Sequence, residues 1–336
     1  MINRGPILAI ETSCDDTCAA VVENGKIRSN VISSQAAAHA GFGGVVPEVA
    51  ARHHLELAGP VVEAALAEAG TTPADLEAVA VTTGPGLIGA LLVGISTAKA
   101  LAWSWQLPLI EVDHLHGHVA ANFLEPDPLE PPFLCLVASG GHTQLAAVTG
   151  YDGYELLGQT LDDAAGEALD KAARMLDLGY PGGPVIQRIA ADGDPEAFDF
   201  PVGMRGSDSL NFSFSGLKTS LLYTIRDLGD EETEKRKPDL AASYQHAVVE
   251  QLTGRLERAL DSRAGGEDWP AVALGGGVAA NRPLRERVRE ICDRRGLEMK
   301  LVPMQLCTDN AAMIAAAAAY LPVTPLPDYL PVEAAT

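Results

Sequence analysis

ILAIETSCDDTCAAVVENG at residues 7–25 and FLCLVASGGHTQLAAVTGYD at 133–152 share one pattern: an apolar run, a polar or glycine-rich turn, then a second apolar run. Each reads as a β-hairpin whose turn carries the chemically interesting side chains. A second pair repeats in the same order. LEAVAVTTGPGLIGALLVGISTAKALA (76–102) and WPAVALGGGVAANRPLRERVREI (269–291) each read as strand, glycine-rich loop and helix. Glycines there let the backbone come close to a ligand, and a helix start offers unpaired N–H groups to an anion. The duplicated order predicts an α/β protein of two similar lobes facing each other across a nucleotide cleft. The chain has no GxxxxGK[ST], which disfavours the P-loop route.

A length of 336 residues suits two lobes better than one core. Hydrophobic residues make up 47% and there are 33 glycines, so a large core and many tight turns are expected. The formal charge of −21 opposes wide contact with a phosphate backbone, so any nucleic-acid role needs a local basic patch or a partner subunit. RPLRERVREICDRRG (282–296), with Arg282, Arg285, Arg287, Arg289, Arg294 and Arg295, is the candidate patch, subject to neutralisation by Glu286 and Glu290. The five cysteines, Cys14, Cys18, Cys135, Cys292 and Cys307, are odd in number and widely spaced. With no signal peptide apparent, that pattern predicts reduced thiols and a cytoplasmic location. The run from Leu87 to Trp103 contains Lys99, Gly and Ser and is expected to be a buried helix rather than a membrane span.

Helical periodicity marks 58–70 and 244–262, and 161–179 reads as a helix that starts near Asp162–Asp163 and stops at Gly179. RDLGDEETEKRKPD (226–239) is expected to be a solvated charged loop. The proline-rich tail is expected to be extended or disordered over 326–336. The expected lobes are 1–113 with 310–325, and 114–309.

VDHLHGHV (112–119) places three of the chain's 8 histidines in five positions. If the segment is helical, His114 and His118 share a face while His116 points elsewhere. Two aligned imidazoles suit a metal but need at least a third ligand, which this stretch does not supply. A polar helix start is the plainer alternative.

ETSCDDT (11–17), GGVVPE (43–48), TTGPGLIGALLVG (82–94), DHLHGH (113–118), SGGHTQL (139–145), LDDAAGEALDKAARMLDLGYPGGP (161–184), FSFSGLKT (212–219), GGGVAANRPLR (275–285) and CTDNAAMIA (307–315) occur in one order. Together they resemble the bacterial TsaD family of tRNA adenosine threonylcarbamoyltransferases, formerly described as O-sialoglycoprotein endopeptidases, over roughly residues 6–320. The resemblance implies the two-lobed actin-like ATPase fold of actin, sugar kinases and chaperone ATPases, with a central cleft. It implies one divalent metal, Fe2+ with Zn2+ as the alternative, on His114, His118 and Asp309. A carboxylate in CTDN just before an alanine-rich helix is a sensible third ligand, and such a site leaves coordination positions open. His116 stands where many relatives carry Glu.

The resemblance also carries over Val137, Ala138, Ser139, Gly140 and Gly141 as a substrate-embracing loop, Asp170 and Gly183 on the adenosine side, and Asn281 as a further contact. The competing readings are a plain hairpin turn at 139–141 and a surface carboxylate at Asp170. Glu11 ends the apolar strand LAIE and is a candidate general base, with pairing to Lys171 or Lys218 as the alternative. The implied reaction moves a threonylcarbamoyl group from threonylcarbamoyl-AMP to N6 of adenosine 37 in tRNAs reading ANN codons, releasing AMP. The implied partners are tRNA, an inactive paralogue of the same fold and a P-loop ATPase helper, with no membrane. A metal-dependent glycoprotein endopeptidase lacks its HExxH, and a non-catalytic actin-like scaffold has no use for a metal triad.

Overall fold

β1 (Ile7–Glu11) is buried along its whole length, as expected of a continuous apolar run with neighbours on both edges and both faces. It is the central strand of a sheet that continues with β2 (Asp16–Glu23) and β3 (Lys26–Ser34) on one side. After the short α1 (Ala36–His39) and the long α2 (Pro47–Ala69), β4 (Ala78–Gly84) joins the other side of β1. After α3 (Ile88–Trp105), β5 (Leu109–Asp113) completes the order β3-β2-β1-β4-β5 and leads into α4 (His114–Ala120). β1 runs antiparallel to β2, with Ile10 opposite Ala19, and parallel to β4, with Ile10 opposite Val81. Pro47 in the first turn starts α2 and Gly70, in the left-handed region at φ 62°, closes it. The structure is a computed structural model that describes residues 5–42, 44–204, 206–262 and 268–335.

The second sheet repeats that plan. β6 (Phe133–Ala138), β7 (Thr143–Val148) and β8 (Glu155–Gln159) form an antiparallel meander. α5 (Ala165–Met175), α6 (Gly182–Ala190) and α7 (Ser215–Ser262) follow, and then β9 (Ala271–Gly275), α8 (Arg282–Arg295), β10 (Glu298–Leu301) and α9 (Met304–Cys307). The strand order is β10-β9-β6-β7-β8, with β9 parallel to both neighbours. The last helix, α10 (Ala311–Ala318), belongs with the first sheet.

The chain divides into two compact units: Met1–Pro131 with Gly150–Gly153 and Thr308–Thr336, and Pro132–Thr149 with Tyr154–Cys307. The boundary thus falls at 131/132 and not at 113/114, and Thr308–Asp309 lie in the first unit. The reason is packing: a Cβ on Gly117 of α4 would stand 2.7 Å from Ile314 Cδ1 and 3.2 Å from Met313 Cγ of α10. The expected loose tail is instead anchored. Tyr329 is fully buried in the core of the first unit, and Ala335 donates its N–H to Thr83.

Three local expectations also change. Residues 226–239 are helical parts of α7, broken only at Gly229 (φ 73°, ψ 168°), because the charges pair along the helix as Lys235–Glu231, Lys237–Glu234 and Arg236–Asp239. α5 begins at Ala165 because the Asp162 carboxylate is taken by the Phe214 and Ser215 N–H groups and the Ser213 and Ser215 hydroxyls. α3 buries only one stripe, including Leu91 and Ile95, and leaves Ile88, Leu92 and Trp103 about half exposed. It is the one described helix long and apolar enough to cross a membrane, yet its Lys99 ammonium donates to the carbonyls of Leu330 and Val332.

Candidate metal centre

β5 delivers the histidines. Asp113 ends the strand and caps α4, its carboxylate accepting from the His116 N–H at 2.8 Å. The helix then stacks His114 and His118 on one face, ring centroids 4.8 Å apart and nearly perpendicular. Asn310 caps α10 in the same manner, accepting from Met313 N–H at 3.0 Å, and sets Asp309 immediately before the helix. Asp309 Oδ1 lies 3.6 Å from His114 Nε2 and 3.4 Å from His118 Nε2. One ligand atom from each of the three falls within 4.8 Å of the others.

The donor set fits a divalent cation. Both ring nitrogens of His118 are buried and make no hydrogen bond to the described residues, a costly arrangement for a polar group unless something binds it. The histidines are almost fully enclosed while the Asp309 side chain is 23% exposed, so the cluster opens on the carboxylate side. Two histidines and one carboxylate on one face leave coordination positions free. His116 is outside this cluster: it donates Nε2–H to the Tyr151 carbonyl at 3.2 Å, and burial holds its pKa below the usual value.

Behind the cluster lies Glu11, wholly buried. Its Oε1 accepts from Ser13 N–H at 2.5 Å, and its Oε2 accepts from the Thr82 hydroxyl at 2.5 Å and faces His114 Nδ1 at 3.0 Å. Burial pushes this carboxyl up, but the adjacent imidazole outweighs burial and its pKa falls below the ordinary value. Burial likewise opposes charge on His114, yet Glu11 and Asp309 raise it to about 9. The alternative pairing of Glu11 with Lys171 does not occur, since Lys171 binds Asp163 and Glu167. Thr82 and Ser13 were missed in the sequence because nothing local marks a threonine in a buried strand as a carboxylate partner. Cys18 is a buried free thiol against the Asp309 carbonyl, and Cys14 is a half-buried free thiol.

In the second unit, Val137 and Ala138 end β6 with side chains buried, so only their backbone can face a ligand. Ser139 turns the chain, its N–H donating to the His142 carbonyl at 2.7 Å, and a Cβ at Gly140 or Gly141 would meet open space. α5 starts against this turn, Gly166 N–H donating to the Ser139 carbonyl at 3.0 Å. One turn on, Asp170 accepts from Gly182 N–H at 2.7 Å at the start of α6, beside Gly183, and burial raises its pKa. Ser139, Gly140, Gly141, Asp170 and Gly183 thus belong to one connected set. Asn281 is committed to the frame: its Oδ1 caps α8 through Leu284 N–H and its amide donates to Gln245. Gly276 is the glycine most constrained here, at φ 80° with a Cβ position only 2.3 Å from the Ala138 carbonyl oxygen.

The arginines of α8 are largely spent within the second unit. Arg282 pairs with Glu286, Arg287 with Glu250, Glu257 and Glu290, Arg294 with Glu257, and Arg295 with Asp261.

Among solved structures, full-length HypF in its phosphate- and nucleotide-bound form is similar with a TM-score of 0.61 and 15% identity, over 95% of this chain and 47% of that one. HypF from T. kodakarensis gives a TM-score of 0.64 at 16% identity, over 94% and 47%. The chain spans about half the length of those proteins, and likeness at this identity shows the fold alone. The protein therefore has the actin-like α/β fold, with a two-histidine, one-carboxylate cluster. Residues 26–316 match the family model TsaD, tRNA N6-adenosine threonylcarbamoyltransferase, and the chain belongs to that family. A Clostridium perfringens (strain SM101) protein named tRNA N6-adenosine threonylcarbamoyltransferase is 50% identical over 318 residues, 94% of this chain and 93% of its own length. A Thermosynechococcus vestitus protein of the same name is 52% identical over 319 residues, 93% and 89%.

Proposed function

We propose that this chain transfers the threonylcarbamoyl group from threonylcarbamoyl-AMP to N6 of adenosine 37 in tRNAs reading ANN codons. The N6 nitrogen bonds to the carbamoyl carbon, the carbon–oxygen bond to the phosphate breaks, AMP departs and the amine gives up a proton. The observation that carries the reading is the enclosed His114–His118–Asp309 cluster in a member of the TsaD family. These three residues would hold one divalent cation, iron in this reading and zinc as the alternative. When bound, that ion supplies Lewis-acid polarisation of the acyl or phosphoryl oxygens.

Glu11 serves this site by position, in place of the general-base role its strand end suggested. Both its oxygens are occupied and it has no exposed surface, so it cannot reach an incoming amine. Accepting from His114 Nδ1–H, it fixes the tautomer and turns Nε2 toward Asp309. On the second unit, the Gly140 and Gly141 amides are available to developing negative charge, and Asp170, held by the Gly182 N–H, would accept from a ribose hydroxyl. The target adenine must leave its stack to react.

Partner proteins belong to the same reading. The exposed apolar residues Leu55, Ile88, Leu92 and Trp103 of α2 and α3 suit an inactive paralogue of the same fold, and a P-loop ATPase completes the set. With −21 charge and α8 self-neutralised, productive tRNA docking depends on those partners, in the cytoplasm where tRNA is modified. The test mixes purified chain, tRNA and threonylcarbamoyl-AMP with and without the partners and counts modified adenosine. Metal-dependent modification with partners is expected; multiple-turnover modification by the isolated chain overturns the partner requirement, and none under any condition overturns the function.

A further inference from the structure

The first unit contains a cavity of about 360 Å³ that the reaction does not use. Ile7 lines it, at the opposite end of β1 from Glu11, about 13 Å away at the rise of an extended strand. Its volume lies at the lower end of the roughly 300–1,000 Å³ range of small-molecule sites.

The wall has a distinct chemistry. Tyr151 stacks on Tyr320 with centroids 4.6 Å apart and planes within 13°, and Phe123 meets both edge-on at 5.0 and 5.8 Å. Glu125 and Glu130 also line the cavity, and among the described residues the lining includes no Lys, Arg or His. Glu130 lies near enough to the Tyr151 hydroxyl to add to the effect of burial in raising its pKa. Aromatic faces attract cations, and two carboxylates repel anions and resist being stripped of water by a neutral apolar guest. A bare metal ion would leave the rings unused. An ammonium or guanidinium head on a short aliphatic stem satisfies rings, carboxylates and volume together.

We propose that this cavity binds a free small organic cation of the alkylammonium or alkylguanidinium class. Calorimetric titration of the full chain with agmatine and with cadaverine tests it, with 1,5-pentanediol as the neutral probe of similar shape. One saturable site is expected for the cations and none for the diol. Glu130→Gln should weaken cation binding by about tenfold or more, as should Tyr320→Leu, each with an unchanged melting temperature as the check on folding. Diffuse attraction to so acidic a chain would instead give many weak sites, lost on adding salt and indifferent to Glu130→Gln. That outcome, or equal binding of the diol, or cation binding unchanged in Glu130→Gln, overturns the proposal.

Discussion

The two units have the same strand plan and opposite chemistry at its matching ends. In each, a central strand carries an antiparallel meander on one side and two parallel strands on the other. The hairpin after the central strand pairs Glu11 with Cys18 in the first unit and Ala138 with Thr143 in the second. The first turn, TSCDD, holds acids, and the parallel strand β5 feeds a helix bearing histidines. The second turn, SGGH, presents backbone amides, and β10, the counterpart of β5, leads into α9 without a histidine. A repeated backbone thus supplies open strand ends twice, and the residues there set the difference: imidazoles and carboxylates gather at the first, backbone amides at the second.

The largest expected effect breaks the first end. His114→Ala, His118→Ala or Asp309→Ala should each remove bound metal and lower activity on the order of a thousandfold, with the fold intact, while His116→Ala changes either only mildly. Metal content by mass spectrometry and modified-tRNA assays check this; metal lost from His116→Ala alone would reassign the ligands.

Gly276→Ala strikes the second end through the backbone. The left-handed φ and the collision with the Ala138 carbonyl should cost on the order of 3 kcal/mol of stability, read by urea unfolding, with metal affinity in the surviving folded fraction unchanged. Equal loss of metal binding in that fraction would mean the two ends are not independent.

Glu11→Gln sharpens the contrast within the first unit. Metal affinity should fall by about 10–100-fold while nucleotide affinity holds, because the amide orients the imidazole less well than the carboxylate. An unchanged metal affinity with abolished activity would restore Glu11 as the base.

The smallest effect concerns Asp16, whose pKa burial and neighbouring acids raise to about 6. Since the folded value lies above the unfolded one of about 3.9, the folded state prefers the protonated acid, and stability is lost as pH rises from about 4 to 6. Asp16→Asn should remove that slope and stabilise the protein at pH 7.5 by about 1–2 kcal/mol, after discount for partial exposure. Parallel stability–pH curves for the two proteins would refute this.

Much of the site was readable where a short segment carries the whole signal. The spacing of His114 and His118 on one helix face, the Ser139–Gly141 turn and the helix ending at Gly70 follow from residues within a turn of each other. The loop expected at 226–239 failed because helical ion pairing competes with charge-driven solvation, and composition alone does not decide between them. Asp170 looked like a surface carboxylate or a ribose ligand; its bond to Gly182 depends on where α6 starts.

By itself, the sequence determined the duplicated hairpin and strand–glycine–helix order and the pairing of two histidines on one face. Those depend on dihedral preference, apolar periodicity and hydrogen bonds between near neighbours. Only the tertiary structure decided that Glu11 meets Thr82 and His114, at separations of 71 and 103 residues, that Asp309 closes the cluster, and that Tyr329 anchors the tail in the core. Such contacts arise from the way buried surfaces fit once whole elements pack, and no local pattern encodes which distant residue will fill a given gap.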